Sequence, residues 1–264
     1  MKRFIVASKA DEVSMAIAEI LIENYGFREV SENLYEYEGV KLAVIEEKHI
    51  YSEGLGERLG AELVVVASAH RSEKGVRALL THPTGNWGDE AAYGGRPRTL
   101  SATSASALYT SIHTLREEAD RLGLSGWKVN LEVTHHGPAT DTPLIFVEAG
   151  GPEGEIPERR VLEAVASACL AAAKLEKRAT PAIGFGGGHY APTFTRLALR
   201  GEYAFGHMCP KYALPIDLEM VRQAVEKTLE NPRLAIIDWK GLSSEQRKKV
   251  LELVEAAGLE WVKA

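Results

Sequence analysis

Cysteine is scarce in this sequence. Of 264 residues only Cys169 and Cys209 carry thiols, too few and too widely spaced for the disulfide framework of a secreted fold, so a reducing compartment, the cytoplasm, is expected. No run approaches the roughly 20 apolar residues that cross a bilayer, and no membrane role is expected. The opening MKRFIVAS has a basic pair, but its apolar run is too short for a signal-peptide core and is expected to be a first strand. Positive charge is not in excess: the net formal charge is −6, which argues against a non-specific nucleic-acid coat and leaves room for a local basic patch. There is no HExxH, CxxC or EF-hand pattern, so a metal site would have to be assembled from residues far apart in the chain. Internal repeats, low-complexity segments and linkers are absent too, and no obligate protein partner is evident.

What is present is a chain with 45% hydrophobic residues, enough for a full core without staples. Strand-like and helix-like segments alternate. Lys2–Ser8 and the continuous apolar run Leu63–Ala69 read as buried strands, Leu34–Tyr37 and Val40–Ile45 as a hairpin, and Lys128–Thr134, Leu144–Glu148, Ala182–Phe185, Glu202–Phe205 and Arg233–Ile237 as further strands. Helices are expected near 13–25, 104–122, 159–174, 193–199 and 217–229, with a last one after the capping box Ser243/Gln246 and an edge strand at 260–262. The pattern predicts an α/β fold: one domain over residues 1–264 with a mixed, mostly parallel sheet flanked by helices. Residues 70–103, rich in Gly, Pro, Thr and Arg, predict a long functional loop or lid.

Titratable residues cluster just past the predicted strands: His70 after Ala69, His135 and His136 after Thr134, Glu148 at the end of its strand, His189 after Gly186-Gly187-Gly188, and His207 after Gly206. In open α/β sheets ligands bind at the carboxyl ends of strands, so these groups converge if their strands run parallel. In Gly187-Gly188-His189-Tyr190-Ala191-Pro192-Thr193 the glycines allow close backbone approach to a phosphate or oxyanion, against the plainer reading of a strand-to-helix turn. His135 and His136 share a site only if their strand ends near Thr134; otherwise one of them packs. His82, Asn86 and Trp87 lie in the predicted lid, which would exclude water on closing. Glu148 suits a general base or a partner orienting a histidine. His113, beside Arg116 and Asp120, and His49, in a charged loop, read as solvated, and Cys209 before Pro210 as structural. Arg71, Lys74, Arg77, Arg96, Arg98, Arg196, Arg200 and Lys211 flank these signals, either as a track for a phosphate backbone or as ordinary mixed surface.

Taken together, Ser68-Ala69-His70-Arg71-Ser72, His82-Pro83-Thr84-Gly85-Asn86, Glu132-Val133-Thr134-His135-His136-Gly137-Pro138, Gly186-Gly187-Gly188-His189-Tyr190-Ala191-Pro192 and Gly206-His207 with Lys211-Tyr212 resemble the archaeal and plant type of D-aminoacyl-tRNA deacylase. The resemblance runs in order across most of the chain. It implies hydrolysis of the ester between a D-amino acid and the 3′-terminal ribose of tRNA, a Zn²⁺ requirement, and a phosphorylase/peptidyl-tRNA-hydrolase-like fold. No Ser, His and acid form a nucleophile elbow, so a positioned water and oxyanion stabilisation are expected to suffice for an activated ester. On this reading His82, His135, His189, His70 and His207 are metal or acid/base candidates, and His135, His136, His189 and Glu148 are catalytic. Gly187, Gly188, Tyr190, Thr193 and Asn86 would contact the terminal substrate, and Arg71, Arg98 and Arg196 would guide the aminoacyl-tRNA acceptor end. A nucleoside phosphorylase or metallopeptidase on the same fold would instead need phosphate or act on peptides without tRNA. A non-catalytic tRNA-binding module would ignore chelators and histidine changes.

Overall fold

The apolar run 63–69 sits at the heart of an eight-stranded sheet. The structure is a computed structural model and describes residues 1–71, 75–152 and 155–264; Ser72 and Lys74 lie outside the described residues. In chain order the elements are β1 (Arg3–Ser8), α1 (Glu12–Tyr25), β2 (Arg28–Ser31), β3 (Leu34–Tyr37), β4 (Val40–Ile45), α2 (Leu55–Leu59), β5 (Leu63–Arg71), β6 (Ala78–Pro83), β7 (Gly85–Asn86) and β8 (Thr99–Leu100). After them come α3 (Ala105–Arg121), β9 (Lys128–Leu131), β10 (Leu144–Gly151), α4 (Arg159–Lys174), β11 (Thr180–Phe185), α5 (Pro192–Leu199), β12 (Tyr203–Cys209), α6 (Leu218–Glu226), β13 (Leu234–Ile237), α7 (Ser244–Ala256) and β14 (Glu260–Lys263). Among the described residues no helix is long and apolar enough to cross a membrane.

Local chemistry sets the helix ends. Asp11 caps α1 through Oδ1, which accepts from the Val13 and Ser14 amides at 3.0 and 3.1 Å, and Gly26 closes it in the left-handed region at φ +78°. Ser104 caps α3, and the Ser243/Gln246 capping box opens α7 as expected.

The large sheet runs β2-β3-β4-β1-β5-β10-β6-β9, and a second, all-parallel sheet runs β12-β11-β13-β14. The mixed, mostly parallel α/β architecture is the expected one. Helices α1, α3 and α4 pack one face of the large sheet, where Ile5, Val65, Ile145 and Val147 meet Ile17, Leu108 and Val165. The other face carries Phe4, Val6, Val64, Val66 and Phe146. On the small sheet, Ile183, Phe185 and Ile237 pack with Met220 and Val221 of α6 and Val250 and Val254 of α7.

Two expectations fail here for one reason. Residues 70–103 are not one long loop: Ala78–Pro83 is a fully buried strand, antiparallel to β10 with Phe146 opposite His82. Its apolar core, Ala-Leu-Leu, is too short to stand out among the neighbouring polar residues. Trp87, expected in a lid, is buried against Phe185 and His207. Because β6 and β9 run against the remaining central strands, the titratable groups do not simply collect past carboxyl ends. They collect on a face.

Candidate active site

Strand register puts four of these groups on the face of the large sheet opposite α1, α3 and α4. Phe146 and Glu148 lie two residues apart on β10 and so share a side. His82 pairs with Phe146, and His70 with Gly150. Gly150 has to be glycine, because a Cβ there would come within 2.5 Å of the His70 Cβ. Glu132, one residue past β9, hydrogen-bonds through its amide to the Thr81 carbonyl (3.1 Å) and follows the same register beside His82. Phe146 is the floor: the His82 ring stacks on it at 5.1 Å, and His136 meets it edge-on at 5.1 Å.

The chain then leaves the large sheet. The Val133 amide bonds to the His189 carbonyl and the Thr134 amide to the Met208 carbonyl, both at 3.0 Å, which ties this segment to the small sheet. Since β9 ends at Leu131 and His136 takes φ +45°, alternation is broken, and the two adjacent imidazoles do come together, 4.5 Å between centroids. His135 lies 4.2 Å from His82 and 4.6 Å from His189. His189 arrives from the glycine turn after β11, its Nε2 3.1 Å from Glu132 Oε1 and its Nδ1 3.1 Å from the Tyr212 hydroxyl.

Hydrogen bonds fix which nitrogen each ring offers. Nδ1 of His82, His135 and His136 lies 3.1, 2.7 and 2.6 Å from the carbonyls of Pro83, Val133 and Gly137. A carbonyl can only accept, so Nδ1 carries the hydrogen and each neutral ring keeps its lone pair on Nε2. Burial, then the neighbouring His82, His136 and His189, holds His135 well below the usual imidazole range. Burial and His82 bring His136 down to about 3. Burial works against charge on His70 and His82 as well, but Glu148 first and Glu132 second outweigh it and raise both. Burial would raise Glu148, yet His70 and His82 hold it well below the carboxylate range. Glu148 lies 3.5 Å from His70 Nδ1 and 3.7 Å from His82 Nε2. A cleft of about 510 Å³ opens on this cluster, lined by His70, His135, His136, Glu148 and His189 together with Arg71, Lys48, His49 and Tyr93. That size suits a small-molecule moiety.

A sequence profile of the D-aminoacyl-tRNA deacylase family matches residues 57–262. The chain belongs to that family. It is 36% identical to a Pyrococcus furiosus protein named D-aminoacyl-tRNA deacylase, covering 99% of both chains. A Methanosarcina acetivorans protein of the same name is 41% identical over 92% of this chain and 82% of its own length. The crystal structure of a conserved protein of unknown function has the same fold, with TM-score 0.89 and 33% identity, covering 98% of this chain and 94% of the other.

The Zn²⁺ that the family resemblance implies can be tested against the donors. Three sets bring one ligand atom per residue within 4.8 Å of the others: His82/His135/His136, Glu132/His135/His189 and His70/Glu132/Glu148. His82 Nε2 and Glu132 Oε2 are buried without a hydrogen-bond partner among the described residues, and Glu132 Oε1 faces only imidazole nitrogens, His189 Nε2 at 3.1 Å and His70 Nδ1 at 3.7 Å. Unpartnered buried acceptors beside neutral imidazoles are what a cation would satisfy, so the residues fit a metal.

Several expected site residues lie elsewhere or act differently. His207 is buried with both nitrogens engaged, Nε2 on the Ser101 carbonyl (3.0 Å) and Nδ1 on Thr134 Oγ1 (3.1 Å). Burial lowers it to about 3; it braces the segment before His135 and has no lone pair free for a metal. Asn86 donates to the Gly94 and Arg96 carbonyls, at 2.9 and 3.3 Å, and so holds a turn. Gly187 packs on the Asp238 carboxyl, an unfavourable setting for an anion cradle, and Gly188 accepts from the Ala191 amide. Tyr190 bonds His70 Nε2 at 3.2 Å. Of the three arginines only Arg71 lines the cleft; Arg98 pairs with Asp217, and Arg196 is exposed on α5, where Thr193 occupies the first turn. Buried Cys209 is structural, its thiol pushed up by burial.

Sequence reasoning gave no role to Glu132, which lies inside the expected strand Lys128–Thr134, or to Tyr212 as the partner of His189. It also read two histidines as solvated that are not. His113 Nε2 bonds the Ala198 carbonyl at 2.9 Å. His49 is buried, with Nε2 3.1 Å from Asp11 Oδ2. Their partners are remote in sequence, so no local pattern exposes them.

Proposed function

We propose that the cleft hydrolyses the ester joining a D-amino acid to the 3′-terminal ribose of tRNA, with His135, His189 and Glu132 as the central metal set. His82, His136, His70 and Glu148 extend it on either side. The observation that carries this reading is that His82, His135 and His136 each keep an Nε2 lone pair, with His135 beside the buried Glu132 carboxyl, whose Oε2 has no hydrogen-bond partner among the described residues and whose Oε1 faces His189 Nε2 at 3.1 Å. A bound Zn²⁺ would polarise the ester carbonyl and bring the pKa of a water to about 7. The protein's own groups do the rest. Glu148 keeps His70 oriented and positions the attacking water by accepting a hydrogen bond from it, the water's proton passing to bulk solvent. As the water oxygen bonds to the carbonyl carbon and the bond to the ribose oxygen breaks, His70, kept charged by Glu148 and Glu132, supplies a proton to the leaving ribose oxygen. Arg71 and Lys48 at the cleft wall favour a phosphate-bearing substrate, with exposed Arg196 as a further contact for the acceptor stem. A tRNA substrate supports a cytoplasmic place of action.

The test uses matched D- and L-aminoacyl-tRNA with the full chain, following free amino acid with and without a chelator. Release from the D substrate, lost on chelation and restored by Zn²⁺, is expected. Phosphate-dependent nucleoside cleavage, peptide hydrolysis, or salt-sensitive tRNA binding without turnover would each replace the proposal with another.

A further inference from the structure

Of the aromatic side chains, Tyr51, Tyr93, Tyr212 and Trp261 are the strongly exposed ones among the described residues, and three of the four stand around the cleft. Tyr212 bonds His189, Tyr93 lines the cleft wall beside His136, and Tyr51 lies against Gly94. Tyr93 is 69% exposed, the most of any of them. An exposed aromatic is ordinary by itself; what sets Tyr93 apart is that it lines the cleft that opens on the histidine cluster.

Its backbone, by contrast, is tightly held. The Tyr93 carbonyl accepts from the Gly137 amide at 3.1 Å, one residue past His136. Gly95 donates to Glu53 Oε1 at 2.7 Å, and Glu53 Oε2 accepts from the Ala139 amide at 2.9 Å. Asn86 holds the Gly94 carbonyl at 2.9 Å. Gly94 takes φ +82°, and a Cβ there would lie 1.9 Å from the Ile50 carbonyl oxygen, so no other residue fits. The turn is thus pressed onto the segment that carries His135 and His136, and it presents the Tyr93 ring to solvent at the cleft wall.

We propose that Tyr93 is the stacking platform for the unpaired terminal adenine of the tRNA acceptor end, with Tyr51 extending the surface. This rests on the proposed deacylase reading. If the ester carbonyl lies at the histidine cluster, the adenine belongs to the same nucleoside as the leaving ribose oxygen and must sit at the cleft rim, where the exposed ring stands. Unpaired bases are held by stacking on aromatic faces and need no base-edge donors. A backbone already held in place lowers the ordering cost of binding. The neighbouring Lys48 and Arg71 suit the phosphate that precedes the terminal nucleoside.

The test measures binding of uncharged tRNA with an intact 3′ end and of the same tRNA shortened by its terminal adenosine, to wild type, Tyr93→Ala and Tyr93→Phe. Wild type and Tyr93→Phe are expected to prefer the intact end by about tenfold, and Tyr93→Ala to bind both forms alike. In turnover, Tyr93→Ala raises KM for D-aminoacyl-tRNA by about the same factor with kcat unchanged. Retention of the full preference by Tyr93→Ala overturns the platform, as does a fall in kcat with KM unchanged. Because the binding comparison uses uncharged tRNA, it decides the platform even if wild type proves unable to release the D-amino acid, an outcome that would count against the deacylase reading alone.

Discussion

The two sheets supply the cleft unequally. From the large sheet come His82 and Glu132, both 0% exposed, and Glu148 at 4%, set by strand register over the Phe146 floor. From the small sheet come His189, Tyr190 and Tyr212, carried on turns and half-buried or exposed. A side chain fixed by register between neighbouring strands can be held to a fraction of an ångström. One on a turn can adjust, which suits a group that meets substrate. The large sheet therefore provides the rigid donors and the small sheet the adjustable ones.

That contrast can be broken by comparing two histidines whose rings touch. His135→Ala removes the imidazole common to two of the three donor sets. It is expected to lower kcat/KM for D-aminoacyl-tRNA by at least about a hundredfold, with loss of bound metal by elemental analysis and an unchanged circular dichroism spectrum. His189→Ala removes another member of the same set and is expected to cost kcat/KM and bound metal as well, but less than His135→Ala, because His189 belongs to one of the three donor sets and His135 to two. Equal losses would mean that the histidine on the small sheet's glycine turn is as essential to the donor set as the one at the junction of the two sheets.

His207 sharpens the comparison from the other side, as a fully buried histidine of the small sheet that does not serve the cleft directly. His207→Ala leaves Thr134 and the Ser101 carbonyl without their partner and opens a cavity. A loss of about 2 kcal/mol in urea unfolding is expected, with metal content per folded molecule preserved. Loss of metal at unchanged stability would restore His207 to the ligand set.

How much of this was legible in the sequence depended on range. Arg159–Lys174, the Ser243/Gln246 box and the glycine turn before His189 are local patterns and stand where expected. The adjacency of His135 and His136 was legible as a condition, that the strand end early, and β9 does end at Leu131. What stayed hidden needs register. β6 is a short buried strand between polar flanks, and its antiparallel pairing with β10 moved the site from strand ends to a sheet face. Glu132 has the alternation of a solvated strand residue and becomes buried only because β9 packs at β6. His49 looked solvated because Asp11, its partner, lies 38 residues away.

That Asp11–His49 pair offers the last and smallest test, again specific to the large-sheet side. Burial would raise the Asp11 carboxyl, but the His49 ring and the Ala69 and Ser14 amides outweigh it and hold its pKa below the ordinary 3.8. A carboxyl depressed in the folded state adds stability that is complete above its unfolded pKa and disappears as pH falls through the folded one. Wild type should therefore lose stability below about pH 4 partly through Asp11. Asp11→Asn is expected to be less stable at neutral pH, since an amide nitrogen cannot accept from Ala69, where Asp11 Oδ2 now accepts at 2.9 Å. Its urea midpoint should nevertheless fall less between about pH 6 and about pH 3 than that of wild type. Parallel curves would show that Asp11 keeps the same proton affinity folded and unfolded, and the acid-side loss would then have to be traced to Glu148 and the histidines around it.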